Sequence, residues 1–153
     1  MLLRLDLLRY QSKLGVSGAG GNRQVFDPVR KKYVALTPEE HLRQLFLLYL
    51  IEEKKYPPGR IRSEIGIEVN GMRKRCDIVV FDAQINPWLL VECKSPAVEL
   101  TQAVFEQAAA YNLRLRAPFM AITNGLATYC CALDFERSGF TYLDGLPDIP
   151  PAS

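Results

Sequence analysis

Two charged residues stand out because they end an otherwise apolar stretch. Residues 88–94 read Trp-Leu-Leu-Val-Glu-Cys-Lys, which is typical of a buried strand that stops at the following Ser-Pro. Because side chains alternate along a strand, one face is predicted to carry Trp88, Leu90, Glu92 and Lys94. A carboxylate and an ammonium group therefore leave the same strand end, either as a surface ion pair or as part of a reactive site.

A second acid, Asp77, lies inside another apolar run, at residues 75–82. Alternation predicts that Asp77 shares a face with Val79 and Phe81. An acid in such a run is unfavourable unless it is paired, hydrogen-bonded or bound to a metal. Asp77 precedes Glu92 by 15 residues, which fits a strand, a loop and a return strand. If the two strands pair antiparallel, the two acids converge.

Two carboxylates beside a lysine suit the hydrolysis of a phosphodiester bond. Carboxylates and a backbone carbonyl are the hard oxygen ligands that Mg²⁺ prefers, and Mg²⁺ keeps several of its waters. The metal lowers the pKa of a bound water and offsets the charge of the scissile phosphate. A neighbouring lysine orients the nucleophile or stabilises the developing charge. The pattern predicts a Mg²⁺ site in which Mn²⁺ can substitute.

The spacing of Asp77 and residues 92–94 resembles the signature of the PD-(D/E)XK nuclease superfamily. More narrowly, residues 74–82 and 90–96 resemble the N-terminal nuclease domain of type I restriction enzyme R subunits, in its small stand-alone form. The resemblance covers roughly residues 34–143. It implies a DNA endonuclease with a restriction-endonuclease-like fold.

The resemblance also implies roles for individual residues. Asp77 and Glu92 would bind the metal together with the backbone carbonyl of Cys93, and Lys94 would be the catalytic base or the charge stabiliser. Cys76 stands where the signature has a proline, a position that varies across the superfamily.

Three further positions on predicted helices match accessory features of the superfamily. A glutamate on the first core helix often supports the metal, and Glu39 matches that role by helical phase, whereas Glu40 is explained by a capping box with Thr37. The spacing of Gln107 and Tyr111 resembles an accessory Gln-x-x-x-Tyr motif, which implies a catalytic role for Gln107 and phosphate contact by Tyr111. The alternatives are acids favoured by the helix dipole and a polar edge of the core.

Basic residues precede Asp77 on the same predicted strand. Arg73 and Arg75 are placed to bind the DNA backbone, since contacts of Lys and Arg with phosphate supply most non-specific affinity. The alternative is a charged strand that resists aggregation. Glu64 is predicted to be solvated, with a position close to Asp77 as the alternative. The basic turn at residues 30–32 is predicted to be solvated, with contact to DNA phosphate as the alternative. The net charge of +2 permits DNA binding without requiring it.

The predicted elements can bring these residues to one place. Residues 37–40 begin a helix that runs to about residue 54, and Asn70-Gly71 predicts a tight hairpin. The later elements are a helix at about 102–116 and strands at 119–123, 127–133 and 140–143. This order gives the αβββαβ core of a restriction-endonuclease-like α/β fold, with a mixed central sheet flanked by helices.

The chain is predicted to have three parts. Residues 1–36 form an N-terminal extension with a flexible Gly-rich loop and a small hairpin around Asp27-Pro28. Residues 37–145 form the nuclease-like domain, and residues 146–153 form an irregular tail.

Composition is that of an ordinary globular protein, with 24% charged and 48% hydrophobic residues among 153. The four cysteines show no zinc-type spacing, and no signal peptide or membrane-spanning run is present, which predicts a cytoplasmic protein. No Walker A motif is present. The resemblance then implies that motor or specificity subunits come from other chains, the alternative being a protein with a different task. The alternatives to a DNA endonuclease are a non-catalytic DNA-binding or assembly module on the same fold and a nuclease for RNA or branched DNA.

Overall fold

A small antiparallel sheet follows a 3-10 helix at Leu7–Lys13. The structure is a computed structural model that describes residues 2–149, so Met1 and the last four residues of the predicted tail lie outside it. The sheet consists of β1 (Val16–Ser17), β2 (Gln24–Asp27) and β3 (Lys32–Ala35). The β2–β3 connection confirms the hairpin that the Asp-Pro turn predicts.

The first helix begins where the capping pattern places it. Helix α1 (Pro38–Leu48) follows Thr37, whose hydroxyl oxygen accepts a hydrogen bond from the Glu40 backbone N–H at 3.1 Å. The helix continues through a π-helical turn at Tyr49–Glu53, close to the predicted end. The amphipathic sequence and the N-terminal cap thus determine helix α1, which forms one layer of the fold.

The main sheet has six strands in chain order. They are β4 (Ile61–Val69), β5 (Met72–Phe81), β6 (Pro87–Cys93), β7 (Phe119–Thr123), β8 (Thr128–Asp134) and β9 (Gly139–Leu143). The strands β6 and β7 run parallel, whereas every other neighbouring pair is antiparallel. Helix α2 (Gln102–Leu115) connects the parallel pair. The predicted α/β fold with a mixed sheet is therefore confirmed.

The two helices cover opposite faces of the main sheet. On one face, α1 packs through Leu42, Leu45 and Phe46 onto Ile78, Val80, Leu89 and Val91. On the other face, α2 packs through Phe105 and Ala108 onto Val79, Leu90, Met120 and Ile122. The central strands are thus apolar on both sides, as buried strands require. A charged side chain at the end of such a strand must find a partner.

The alternation of side chains fails at one point of the β4–β5 hairpin. The pairs Ser63–Ile78 and Ile65–Cys76 are in register, but Glu64 between them has a φ of +57° and does not pair. As a result Cys76 lies in the same core as Val79. Asp77 does not lie on that face, so the prediction that Asp77 shares a face with Val79 and Phe81 is wrong. The left-handed backbone, which is unfavourable for a glutamate, turns the strand locally.

Alternation also fails at the start of β6. Trp88 packs in the α1 core against Phe119, with 4.7 Å between ring centroids, whereas Leu90 lies in the α2 core. The predicted common face of Trp88 and Leu90 is therefore wrong. The physical reason is a register shift between Val80 and Phe81 of the neighbouring strand, which displaces the pairing there.

Candidate active site

Asp77 and Glu92 meet across the β5–β6 pair. The register pairs Ile78 with Val91, and its continuation by one residue places Asp77 opposite Glu92. The Asp77 Oδ2 atom accepts a hydrogen bond from the Cys93 backbone N–H at 2.8 Å. The structure thus brings together the two acids that the sequence places 15 residues apart. We call Asp77 and Glu92 the acid pair.

Glu92 is the more buried member of the acid pair. It is 4% exposed, and its Oε1 atom has no hydrogen-bond partner among the described residues. Burial, followed by the charge of Asp77, raises the pKa of Glu92 to about 8, although the ammonium group of Lys94 acts in the opposite direction. A buried carboxylate with an unsatisfied oxygen is a site where a cation would be favourable.

The raised pKa of Glu92 predicts a pH-dependent effect of Glu92→Gln on stability. Because the folded state holds the proton up to about pH 8, whereas the unfolded state releases it near pH 4.5, unfolding becomes more favourable as the pH rises between those values. Glutamine removes this titration. In EDTA, we expect Glu92→Gln to unfold at a higher temperature than wild type at pH 8, with the difference shrinking toward pH 5.

The control for this measurement is Glu106→Gln, on the exposed face of α2. Its melting temperature should follow that of wild type at each pH. A Glu92→Gln variant whose difference from wild type does not change with pH would show that Glu92 titrates normally.

Arg43 of α1 contacts Asp77 of the acid pair and two further acids. Its Nη2 atom is 2.7 Å from Asp77 Oδ1 and 2.6 Å from Glu64 Oε1, and its Nη1 atom is 2.6 Å from Glu40 Oε1. We call these four residues the Arg43 cluster. Burial disfavours the guanidinium charge, but the hydrogen bond and charge of Asp77, with Glu40 and Glu64, outweigh it and raise the pKa of Arg43.

Glu40 joins the Arg43 cluster to the N-terminal sheet. Its Oε1 atom also accepts a hydrogen bond from Arg30 at 2.8 Å, and its Oε2 atom accepts one from Gln44 at 3.0 Å. The prediction that Glu40 completes a capping box is therefore wrong, because its carboxylate binds these donors. Arg30, predicted to be solvated, also binds the buried Asp27 at 2.6 Å. Both corrections follow from the β2–β3 turn folding over the start of α1.

Glu64 lies opposite Asp77 on β4, so the favoured prediction of a solvated Glu64 is wrong and the alternative, a position close to Asp77, is the one observed. Its carboxylate contacts Arg43 at 2.6 Å and Arg75 at 3.3 Å. The left-handed backbone at Glu64 accompanies this arrangement, since it interrupts the pairing where the acid turns toward α1. Strain at this position is thus tied to the charged cluster.

Comparison with protein families matches residues 38–147 to the type I restriction enzyme R protein N terminus. The chain belongs to this family. The matched span begins at the first residue of α1 and ends after β9, so it contains both helices, the main sheet and the acid pair. The resemblance drawn from the sequence is confirmed. A search of curated proteins gave no match.

The other predicted site residues of this R-protein N-terminal domain differ in their exposure to solvent. Glu39 and Gln107 are exposed, and neither forms an ion pair or hydrogen bond with the acid pair in the described part of the chain. Tyr111 is half-buried, with Lys74 Nζ 5.9 Å from its ring centroid. The roles of Glu39, Gln107 and Tyr111 stay predictions. Glu40, one residue from Glu39, is the α1 acid that reaches the cluster.

The basic residues differ in their surroundings. The guanidinium of Arg73 lies over Gly66, where a Cβ atom would come within 2.8 Å of Nη2. The side chain of Arg75 is 73% exposed and contacts Glu64 only at its tip. The side chain of Lys94 is half-buried, and its backbone N–H donates to the Thr123 carbonyl at 2.8 Å. The β6–β7 pairing therefore fixes the backbone of Lys94 next to Glu92.

Sequence reasoning missed Arg43, although a signal was present. Arg43 precedes Phe46 by three residues and Leu50 by seven, so helical phase places it on the inward face of α1. An inward arginine needs acidic partners, because a buried unpaired charge is strongly unfavourable. The acids on β4 and β5 were the candidate partners of this arginine.

The acid pair offers oxygen ligands that suit Mg²⁺. The donors are the carboxylates of Asp77 and Glu92 and the backbone carbonyl of Cys93, and one carboxylate oxygen, Glu92 Oε1, is buried without a partner. Among residues 2–149, no group of three His, Cys, Asp or Glu side chains is arranged to hold a metal. The residues fit a magnesium ion held by two acids, one of which, Asp77, is paired with Arg43.

Among the described residues, every helix is too short or too polar to span a membrane. The four cysteines are buried and unpaired. Burial raises the pKa of the Cys76 thiol, the one nearest Asp77 in sequence, to about 12. These thiols are therefore part of the core and are chemically unreactive.

Proposed function

We propose that this domain is a metal-dependent endonuclease that hydrolyses phosphodiester bonds of DNA. The observation that carries the proposal is the meeting of Asp77, inside β5, with Glu92, near the end of β6, where Glu92 Oε1 is buried and has no partner among the described residues. Membership in the R-protein N-terminal family supports it, since that description names a part of a restriction enzyme. Lys94 directly follows β6 and completes the set of charged groups.

Each group has a chemical task in this proposal. Asp77, Glu92 and the Cys93 carbonyl would hold Mg²⁺ or Mn²⁺. When bound, the metal would lower the pKa of a water and offset the charge of the scissile phosphate. The Lys94 side chain, half-buried beside Glu92, would orient the nucleophilic water and stabilise the negative charge that develops on the phosphate. Glu39 and Gln107 would support the ligands from the two helices.

DNA would approach along the β4–β5 hairpin and α2. Arg73 and Arg75 lie on β5 before Asp77, and Tyr111 of α2 is next to Lys74 of the same strand. These groups can bind backbone phosphates without reading sequence. The net charge of only +2 predicts weak binding by the domain alone. Motor or specificity subunits of other chains would therefore deliver the DNA in the cytoplasm.

A DNA-binding or assembly module without catalysis is the second candidate. The observation that favours it is the ion pair of Arg43 with Asp77, which satisfies this acid without any metal. In that case, the Arg43 cluster would serve only the stability of the fold.

A plasmid-nicking assay with Glu92→Gln tests the proposal. With Mg²⁺ or Mn²⁺, wild-type protein should convert supercoiled DNA to the nicked form, and Glu92→Gln should be slower by at least about 100-fold because a metal ligand and its charge are lost. Glu106→Gln, an equivalent change on the exposed face of α2, should nick as wild type does. EDTA should stop the reaction.

Branched DNA and single-stranded RNA are tested in the same buffers. Cleavage of either one in preference to plasmid would reassign the substrate while keeping the active site. If wild-type protein binds DNA but cleaves none of the three substrates with either metal, the non-catalytic module replaces the proposal.

A further inference from the structure

We propose that Arg43 is an internal counter-cation of the acid pair, which neutralises Asp77 in the absence of metal and lowers the affinity of the domain for divalent cations. The inference rests on the proposed metal site and adds a positioning residue that the nuclease signature does not include. Its basis is the position of one guanidinium nitrogen at a carboxylate oxygen that would also serve a metal.

The first argument is the geometry of the contact. Arg43 Nη2 is 2.7 Å from Asp77 Oδ1, and the other oxygen of Asp77 already accepts the Cys93 N–H at 2.8 Å. A divalent cation that uses Asp77 through Oδ1 would therefore meet the guanidinium. Two positive charges near the same oxygen repel each other, so Arg43 and the metal compete for Asp77.

The second argument is the balance of charge around the guanidinium. Arg43 contacts three carboxylates, those of Glu40, Glu64 and Asp77. Arg30 adds a positive charge at Glu40 but also pairs with Asp27, and the exposed Arg75 adds one at Glu64. Four acids against three arginines leave an excess of one negative charge before Glu92 is counted. The cluster can thus take up a cation without expelling Arg43.

The third argument is that the guanidinium does not satisfy the site completely. Glu92 is 4% exposed, and its Oε1 atom has no hydrogen-bond partner among the described residues. Arg43 is 6% exposed, and its Nε atom has no partner among them either. Buried polar atoms of this kind are rare in folded proteins, and of these two the carboxylate oxygen is the one that suits a cation. The unpartnered carboxylate oxygen belongs to the neighbour of Asp77, where a cation would sit.

The fourth argument is that Arg43 keeps other ionic partners when Asp77 is released. Its Nη2 atom already contacts Glu64 at 2.6 Å, and Nη1 remains bound to Glu40, which Arg30 and Gln44 hold in turn. Release of Asp77 therefore breaks one of three ionic contacts and needs no movement of α1. Arg43 acts through Asp77 on the metal and does not need to touch the substrate.

The test is Mn²⁺ binding to Arg43→Met, measured by calorimetry and by thermal unfolding. Methionine keeps much of the apolar stem but removes the charge. We expect the metal-free variant to unfold at a lower temperature than wild type, and its Kd for Mn²⁺ to be at least about tenfold lower. Saturating Mn²⁺ should then raise its melting temperature more than that of wild type.

Three further variants separate charge from structure. Arg43→Lys keeps the positive charge and should bind Mn²⁺ about as weakly as wild type. Arg30→Met removes a guanidinium from the same Glu40 but not from Asp77, so it should lower stability and leave the Kd within about threefold of wild type. Arg43→Met combined with Glu40→Gln removes opposite charges together and provides a folded variant if Arg43→Met alone does not fold.

The outcomes distinguish this inference from the nuclease proposal. Tighter Mn²⁺ binding by the Arg43→Met variants, when wild type cleaves none of the three substrates, would support Arg43 as the counter-cation and contradict the endonuclease. An Arg43→Met protein, alone or with Glu40→Gln, that binds Mn²⁺ no more tightly than wild type would overturn the inference. Absence of Mn²⁺ binding in every variant would overturn it as well, even if wild type nicks DNA.

Discussion

Lys94→Met is expected to slow plasmid nicking by at least about 100-fold while Mn²⁺ still binds. The ammonium group of Lys94 opposes the rise in the pKa of Glu92, so it lies within electrostatic range of the acid pair. In the proposed endonuclease, a cation there would stabilise charge that develops in the transition state, and removal of one such donor typically reduces the rate about 100- to 1,000-fold. Because Lys94 is a cation and not a ligand, its loss should leave metal affinity equal or slightly higher.

The measurement is the single-turnover nicking rate at saturating Mn²⁺, with the Kd determined separately by calorimetry. The matched control is Lys32→Met, which removes an exposed lysine from β3, outside the main sheet. Lys94→Arg keeps the charge with a different shape and should recover only part of the rate. Nicking by Lys94→Met within threefold of wild type would exclude Lys94 from the chemistry.

Local patterns in the sequence account for most of the fold. The Asn70-Gly71 turn defines the β4–β5 hairpin, and the 15-residue spacing from Asp77 to Glu92 gives the β5–β6 pair that joins the two acids. Thr37 identifies the start of α1 through its cap. These features depend on residues that are near each other in the chain, so periodicity and turn chemistry are sufficient.

The charged cluster depended on contacts that no local pattern contains. The capping-box motif assigned Glu40 to the helix backbone, whereas Arg30, ten residues earlier, and Arg43 bind its carboxylate. Strict alternation left Glu64 solvated, because nothing in the sequence indicates a glutamate with positive φ. The site therefore differs from its sequence prediction where buried charges from different elements satisfy one another.

Asp77→Ala is expected to destabilise the protein by about 3 kcal/mol, which makes it a poor test of catalysis. The substitution leaves the Cys93 N–H without its acceptor, which costs about 1–3 kcal/mol for a buried group. It also removes one of three acids from Arg43, and loss of a buried ionic partner costs about 3–5 kcal/mol when nothing replaces it. Glu40 and Glu64 remain, so the total stays near the lower end.

Urea unfolding of metal-free protein measures this loss, and Asp144→Ala, an exposed acid after β9, is the control that should change stability by less than about 0.5 kcal/mol. Asp77→Asn keeps an oxygen for the Cys93 N–H and should lose less stability than alanine, while it still removes the ligand charge. If Asp77→Ala is as stable as the control, the contacts of Asp77 with Arg43 and Cys93 contribute little to folding. If Asp77→Ala is destabilised as expected, a loss of activity in this variant can result from unfolding as well as from the loss of a metal ligand. Asp77→Asn, which keeps the acceptor for the Cys93 N–H, is then the better variant for testing Asp77 as a metal ligand.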